Sequence, residues 1–323
     1  MAVERLLEPA NIPITLWDKA LGALSLPKHL SEIYINIIES RGLRALGEAR
    51  PGGDGPVGGI DKRSTDTHFA QAFDGSVARA LLAVLDPKSE VGSTSNNFIR
   101  VTAGGELVLT DAPCGAGAAS FAFLSVLAEL REEGVLPRHV LKVKLVAAEL
   151  SVFAHEYFGE ILSRLQPKLE AQAIFVEFEL MKWDVTCVIS TSDLVKASVR
   201  ASSGRCSQLL VIANFNGFLT QSGKLKLAKP QLTELFRYAT GEDSFAVWIE
   251  PHMNKATDAG GLLPAIFVLY SALRKLLGLG DKELSSLKPL HQTEAKFTLP
   301  LQPRSTARVR LAVIPMDLTR TDP

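Results

Sequence analysis

The residues best suited to chemistry lie together in Leu107-Val-Leu-Thr-Asp111-Ala-Pro113-Cys114-Gly115-Ala-Gly117-Ala. Glycines in a turn that leaves a strand and enters a helix let the backbone approach a ligand closely. They also aim the first N–H groups of the helix at it. The acid ahead of the turn, Asp111, can accept a hydrogen bond from a cationic or hydroxyl-bearing ligand, whereas a phosphate-binding turn would avoid that negative charge. No Gly-Lys-Ser/Thr follows, which speaks against a nucleoside-triphosphate loop. Gly115-Ala-Gly117-Ala-Ala-Ser120 approaches the dinucleotide-binding fingerprint, but Ser120 replaces its third small residue and Pro113-Cys114 precedes the glycines. Two more acids follow apolar runs: Glu149 after 141–148, and Asp184 in Met-Lys-Trp-Asp. Asn214-Phe215-Asn216-Gly217 follows a fourth run, and Glu250-Pro-His252 a fifth. Asn216, Glu250 and His252 are candidates for a proton-accepting group, a histidine being able to titrate near neutrality.

These residues need a scaffold that gathers strand ends. After residue 100, β-like runs at 106–110, 141–148, 173–178, 209–213 and 245–249 alternate with helical stretches at 118–131, 154–165, 230–238 and 261–277. Leu209-Leu-Val-Ile-Ala213 is apolar throughout, as a strand covered on both faces should be. Strand–helix alternation with right-handed crossovers makes a parallel sheet with helices on both sides. The closing runs, 295–299 and 308–314, leave no room for a helix between them and must pair antiparallel. Pro230 is placed at the opening of its helix, and the Ser/Thr-rich stretch 185–208 reads as a solvated surface or a substrate-facing insert. Ahead of the sheet domain (99–323), residues 1–98 read as an N-terminal helical extension or lid, periodic at 30–38 and 69–85 and broken by the Gly/Pro connector 51–59. Within it, His68 and Phe69 stand where they could reach over a ligand.

Composition narrows the classes. The 323 residues carry 35 Lys+Arg against 35 Asp+Glu, so no global positive field points to nucleic acid or a membrane surface. The small basic run at Lys224, Lys226 and Lys229 would give only weak, salt-sensitive phosphate contacts. Three cysteines, Cys114, Cys187 and Cys206, are too few and too scattered for a disulfide framework or a four-ligand zinc site, and no metal site is expected. Cys114 reads as a small buried thiol. With no signal-peptide pattern at Met1 and no apolar run long enough to span a bilayer, the expectation is a soluble, cytoplasmic chain.

Asp-x-Pro-Cys-Gly-x-Gly after a first strand resembles motif I of the class I S-adenosylmethionine-dependent methyltransferases, and by strand order the resemblance covers roughly residues 100–315. It implies an α/β fold with a doubly wound, seven-stranded sheet whose last strand is antiparallel, and S-adenosyl-L-methionine as cofactor. By that resemblance the loop residues Asp111, Pro113, Cys114, Gly115 and Gly117 hold the methionine end. Glu149 accepts both ribose hydroxyls, and Asp184 contacts the adenine amine. Asn214 borders the methyl group, and Asn214, Asn216 and His252 are the candidate catalytic residues. Two departures stand out. About 30 residues separate Gly117 from Glu149, against the roughly 20 of a compact nucleotide-binding unit. No Asn/Asp-Pro-Pro-aromatic sequence follows the fourth strand, which argues against the subclass that methylates base or glutamine amines. The acceptor stays open among RNA, protein and small molecules. Two other readings remain: a non-catalytic S-adenosylmethionine-binding sensor or assembly factor on the same fold, and a nicotinamide-dependent oxidoreductase.

Overall fold

A computed structural model describes residues 5–50, 58–202, 206–239, 244–251 and 291–317. Two short strands, β1 (Trp17–Asp18) and β2 (Ala23–Leu24), are followed by helices α1 (Lys28–Ser40), α2 (Arg44–Glu48), α3 (Lys62–Leu85) and α4 (Thr94–Val101). The alternating part then runs β3 (Glu106–Asp111), α5 (Ala118–Glu132), β4 (Leu141–Glu149), α6 (Val152–Ala171), β5 (Ile174–Lys182) and α7 (Val188–Ala201). It continues through β6 (Ser207–Ala213), α8 (Asn216–Gln221), α9 (Leu225–Tyr238) and β7 (Phe245–Glu250) to the closing pair β8 (His291–Leu299) and β9 (Gln302–Asp317). The helix expected over 261–277 lies outside the described residues.

The strands form one mixed sheet in the order β1-β2-β8-β9-β7-β6-β3-β4-β5. From β7 to β5 neighbours are parallel, while β9 runs antiparallel to both β7 and β8. Among the described residues the sheet has nine strands rather than the expected seven. The N-terminal segment, read as purely helical, supplies the other two, with β2 pairing parallel onto β8. Two residues apiece are too short for a period-two signal to be read from the chain.

Alternation along the strands divides the side chains between two faces. Leu209, Val211, Val247 and Ile249 join a large cluster with α1, α3, α5 and α6. Their neighbours Leu210, Ile212, Ala246 and Trp248 join a second cluster with α7 and α9. Residues of 5–98, including Tyr34, Phe69, Phe73 and Leu81, belong to the large cluster together with β3, β4 and β9.

Two local readings are corrected. The stretch 185–208 contains a helix, α7, that buries Thr191, Leu194, Val195, Ala197 and Ser198. Its hydroxyls are satisfied inside: Ser198 Oγ donates to the Leu194 carbonyl, and the Trp183 indole N–H donates to Thr191 Oγ1. Polar residues whose hydroxyls bond locally can line a buried face. Pro230 does not open its helix, because α9 begins five residues earlier at Leu225.

Candidate functional site

The sheet fixes where a ligand can lie. The chain leaves β3 toward β4 and β5 on one side and returns to β6 and β7 on the other, so β3 pairs with both β4 and β6. At such a reversal the connections from two neighbouring strands depart in opposite directions, opening a crevice beyond their carboxyl ends. A cavity of about 710 Å³ occupies that position, lined among others by Asp111, Pro113, Cys114, Gly115, Glu149, Asp184 and Asn214. This volume falls in the range of about 300–1,000 Å³ usual for small-molecule sites.

The bend after β3 carries two glycines with different tasks. Gly115 has φ +53° and lines the cavity; a Cβ built there would meet nothing within 4 Å. Gly117, the N-cap of α5, has φ +85°, and a Cβ there would sit 2.2 Å from the Phe121 ring and 2.8 Å from Phe158. Gly117 is not among the cavity-lining residues, so its missing side chain serves helix packing, not ligand approach. The bend is tied across to β4, with the Cys114 N–H donating to the Ala148 carbonyl at 2.9 Å. Burial, with Asp111 and Glu149 nearby, pushes the Cys114 thiol well above its ordinary range, which leaves it protonated and unreactive.

Asp111 is fully buried. Its Oδ2 accepts from the Ser120 hydroxyl at 2.6 Å, while among the described residues Oδ1 has no hydrogen-bond partner. Burial pushes its pKa up to about 7 against the pull of the Ser120 bond. Ser120, a departure from the dinucleotide fingerprint, is thus the group that holds Asp111 in place.

Glu149, half-buried at the end of β4, accepts three backbone N–H bonds. Gly115 donates to Oε2 at 3.0 Å, and Leu150 and Ser151 donate to Oε1 at 2.6 and 3.1 Å. A carboxylate offers about four lone-pair sites. Three being taken, the expected clasp of two ribose hydroxyls has room for one strong bond. Ser151, which N-caps α6 by accepting from the Ala154 N–H, also contacts Thr65 Oγ1 at 3.1 Å and so links the start of α3 to this strand end.

Asp184 lines the cavity beside Trp183 and Val185. Its Oδ1 accepts from the Thr186 N–H and hydroxyl at 2.9 and 2.8 Å, and the backbone bond holds the carboxyl below its usual range. Trp183 belongs to the core, 2 % exposed, with its ring 5.9 Å from that of Phe215.

At the end of β6, Asn214 adopts the left-handed conformation (φ +55°), lines the cavity and accepts a hydrogen bond from Arg79 Nη1. Asn216 differs from the expectation of a catalytic group. It is buried outside the cavity lining, its N–H donates to Glu250 Oε1 and its side-chain oxygen faces the Thr220 hydroxyl. The helix α8 begins at this residue, which turns the side chain into the wall. Glu250 is an internal fastener: Oε1 also accepts from the Phe215 N–H and the Trp248 indole N–H, and burial raises its pKa. His252 lies outside the described residues.

The opposite wall comes from segments that sequence reasoning left largely unassigned. Helix α3 contributes His68 and Phe69, both noted above, together with Phe73, Ser76 and Arg79; the closing strands add Phe297 and Arg308. A signal for Arg79 does exist, since it is the lone charge within the apolar run Val77-Ala78-Arg79-Ala80-Leu81-Leu82. Among the described residues no helix is long and apolar enough to cross a membrane.

No protein-family model matches the sequence, and no curated protein matches it. Among solved structures the chain is similar to a provisionally assigned class I S-adenosylmethionine-dependent methyltransferase from Listeria monocytogenes. That likeness has 10 % identity and a TM-score of 0.36, covering 91 % of this chain and 80 % of that one. A likeness at that level does not bear on what the cavity holds.

Proposed function

We propose that the chain is an S-adenosylmethionine-dependent methyltransferase whose cofactor lies along the carboxyl ends of β3, β4 and β6. The observation that carries this reading is the buried Asp111 Oδ1, an acceptor with no partner among the described residues, beside the open Gly115 cradle. An unpaired buried carboxylate oxygen costs free energy unless a donor reaches it, and the ammonium of an amino-acid tail is such a donor. The residues therefore fit the group. Gly115 leaves room for that tail, the last acceptor site of Glu149 suits a ribose hydroxyl, and Asp184 stands at the far end for the adenine amine.

When bound, the cofactor supplies a methyl group already activated by its sulfonium, so the chain's own task is positioning and exclusion of water. The wall formed by α3 closes the cavity opposite the bend, with Phe69, Phe73 and Phe297 supplying apolar surface. Asn214, held by Arg79 in the cavity lining, is the residue assigned to border the methyl group in this reading. Asn216, turned into the wall, does not reach the acceptor side, and its carboxamide would be no base there. The same feature supports the second reading, a binding protein without transfer.

Isothermal titration with S-adenosylmethionine and S-adenosylhomocysteine tests the cofactor assignment. The expected result is saturable one-to-one binding of both, lost on adding bulk at Gly115. Binding of a nicotinamide dinucleotide with no affinity for either compound would overturn it. Transfer of labelled methyl to a fraction of cell extract separates the enzyme from the binding protein.

A further inference from the structure

Three arginines line the cavity, Arg50, Arg79 and Arg308. Two are neutralised by carboxylates, Arg50 by the buried Asp74 and Arg308 by Glu294. Arg79 is different. Its Nε donates to the Arg310 carbonyl at 3.1 Å and its Nη1 to the Asn214 side chain, and among the described residues it has no carboxylate at ion-pair distance. Its second terminal nitrogen makes no hydrogen bond there. The carboxylate that acts on it from further away, Glu250, takes three N–H donors on Oε1, and its Oε2 is buried without a hydrogen-bond partner among the described residues. This guanidinium fork, its pKa lowered by burial to about 10 and so still charged at neutral pH, is oriented by two neutral acceptors in a wall with Phe73 and Phe297, an arrangement that suits an oxyanion.

We infer that the α3 side of the cavity takes an acidic methyl acceptor, a small molecule with an apolar body whose carboxylate or phosphate is seated on Arg79. This rests on the cofactor reading above for the word acceptor, but not for the anion site itself. The location fits that assignment. Arg79 contacts Asn214 at the end of β6, on the far side of β3 from Glu149, so an anion there lies away from the expected ribose end.

The test uses the full chain saturated with S-adenosylhomocysteine, titrated with benzoate, inorganic phosphate and the neutral isostere benzamide. Benzoate and phosphate separate the two oxyanions, and benzamide removes the charge at nearly constant shape. The expected result is that at least one anion binds and benzamide binds about tenfold more weakly than benzoate if the carboxylate is the group recognised. In Arg79→Met that anion should lose about tenfold or more in affinity, with S-adenosylhomocysteine affinity unchanged; Arg79→Lys should recover part of it as a point charge. A purely structural Arg79 would weaken charged and neutral probes alike, which overturns the proposal. So would the absence of anion binding in the unsubstituted protein. Loss of S-adenosylhomocysteine affinity in Arg79→Met would assign the arginine to the cofactor's own carboxylate and likewise overturn the acceptor site. If the anion binds while S-adenosylhomocysteine does not, the cofactor reading fails and with it the acceptor assignment, leaving only an anion site.

Discussion

The two walls of the cavity are built in opposite ways. One is local: β3, the bend, α5 and the end of β4 place Asp111, Gly115 and Glu149 within about forty residues of chain, the bend's N–H groups donating to the Ala148 carbonyl and the Glu149 carboxylate. The other is assembled from afar, with Arg79 on α3, Asn214 after β6, and Phe297 and Arg308 on the closing strands. The local wall is a rigid frame with one acceptor left open. The assembled wall is a packed surface carrying one charge without a carboxylate partner among the described residues. A general ligand-binding frame can stay constant while the wall facing it is varied through substitutions in distant segments, which is how such folds host many substrates.

The sharpest way to break this comparison is to separate the two glycines of the bend. Gly117→Ala should destabilise the protein by roughly 2–5 kcal/mol, the sum of left-handed strain and overpacking against Phe121. Gly115→Ala should cost only about 1–2 kcal/mol of stability, from backbone strain alone, while blocking the ligand bed. Chemical denaturation and titration of both variants check this. Equal stability losses would mean that the bend is a single packed unit.

Next in size is the titration of Asp111. Burial raises its pKa to about 7, so the folded chain holds this proton more tightly than the unfolded one. The associated stability is fully present below the unfolded value near pH 4 and is lost as pH rises through about 7. Asp111→Asn should abolish that loss and be more stable than the parent by roughly 2–4 kcal/mol at about pH 8 in the absence of ligand. Ligand affinity should move the other way. An ammonium donor requires the ionised carboxylate, so affinity rises with pH up to about 7 and becomes flat in Asp111→Asn. Denaturation and calorimetry across this window check both signs.

Glu149→Gln should weaken binding of an adenosine-containing ligand by about 1–3 kcal/mol, and loosen the bend through the lost Gly115 bond. Unchanged affinity with the fold intact would remove Glu149 from the site. The smallest effect belongs to the assembled wall. Asn214→Ala should cost about 1 kcal/mol for its left-handed backbone, whereas Asn214→Gly should be nearly neutral in stability. Both should free Arg79 Nη1, and a titration with benzoate reads the consequence.

The same contrast explains what could be read from the chain. The bend, its flanking strands and Glu149 are legible because their signals are short-range: a period of two, glycines at a strand-to-helix turn, an acid closing a strand. The closing hairpin is legible for the same reason, its linker being too short for a crossover. The two N-terminal strands are not, since two residues carry no period, and α7 is hidden by hydroxyl side chains that bond within the helix. The crowding at Gly117 depends on Phe158, brought in from the next helix, so nothing local distinguishes it from Gly115. Arg79 depends on a contact across 135 residues to Asn214, and only its isolation in an apolar run hints that it is held for a purpose.

The most direct measurement is a crystal structure of the full chain grown with S-adenosylhomocysteine. The account expects ligand density over Gly115, its amino group at hydrogen-bond distance from Asp111 Oδ1 and one ribose hydroxyl on Glu149. An empty cavity at saturating ligand, or a ligand bound with Asp111 Oδ1 still unpartnered, would contradict it.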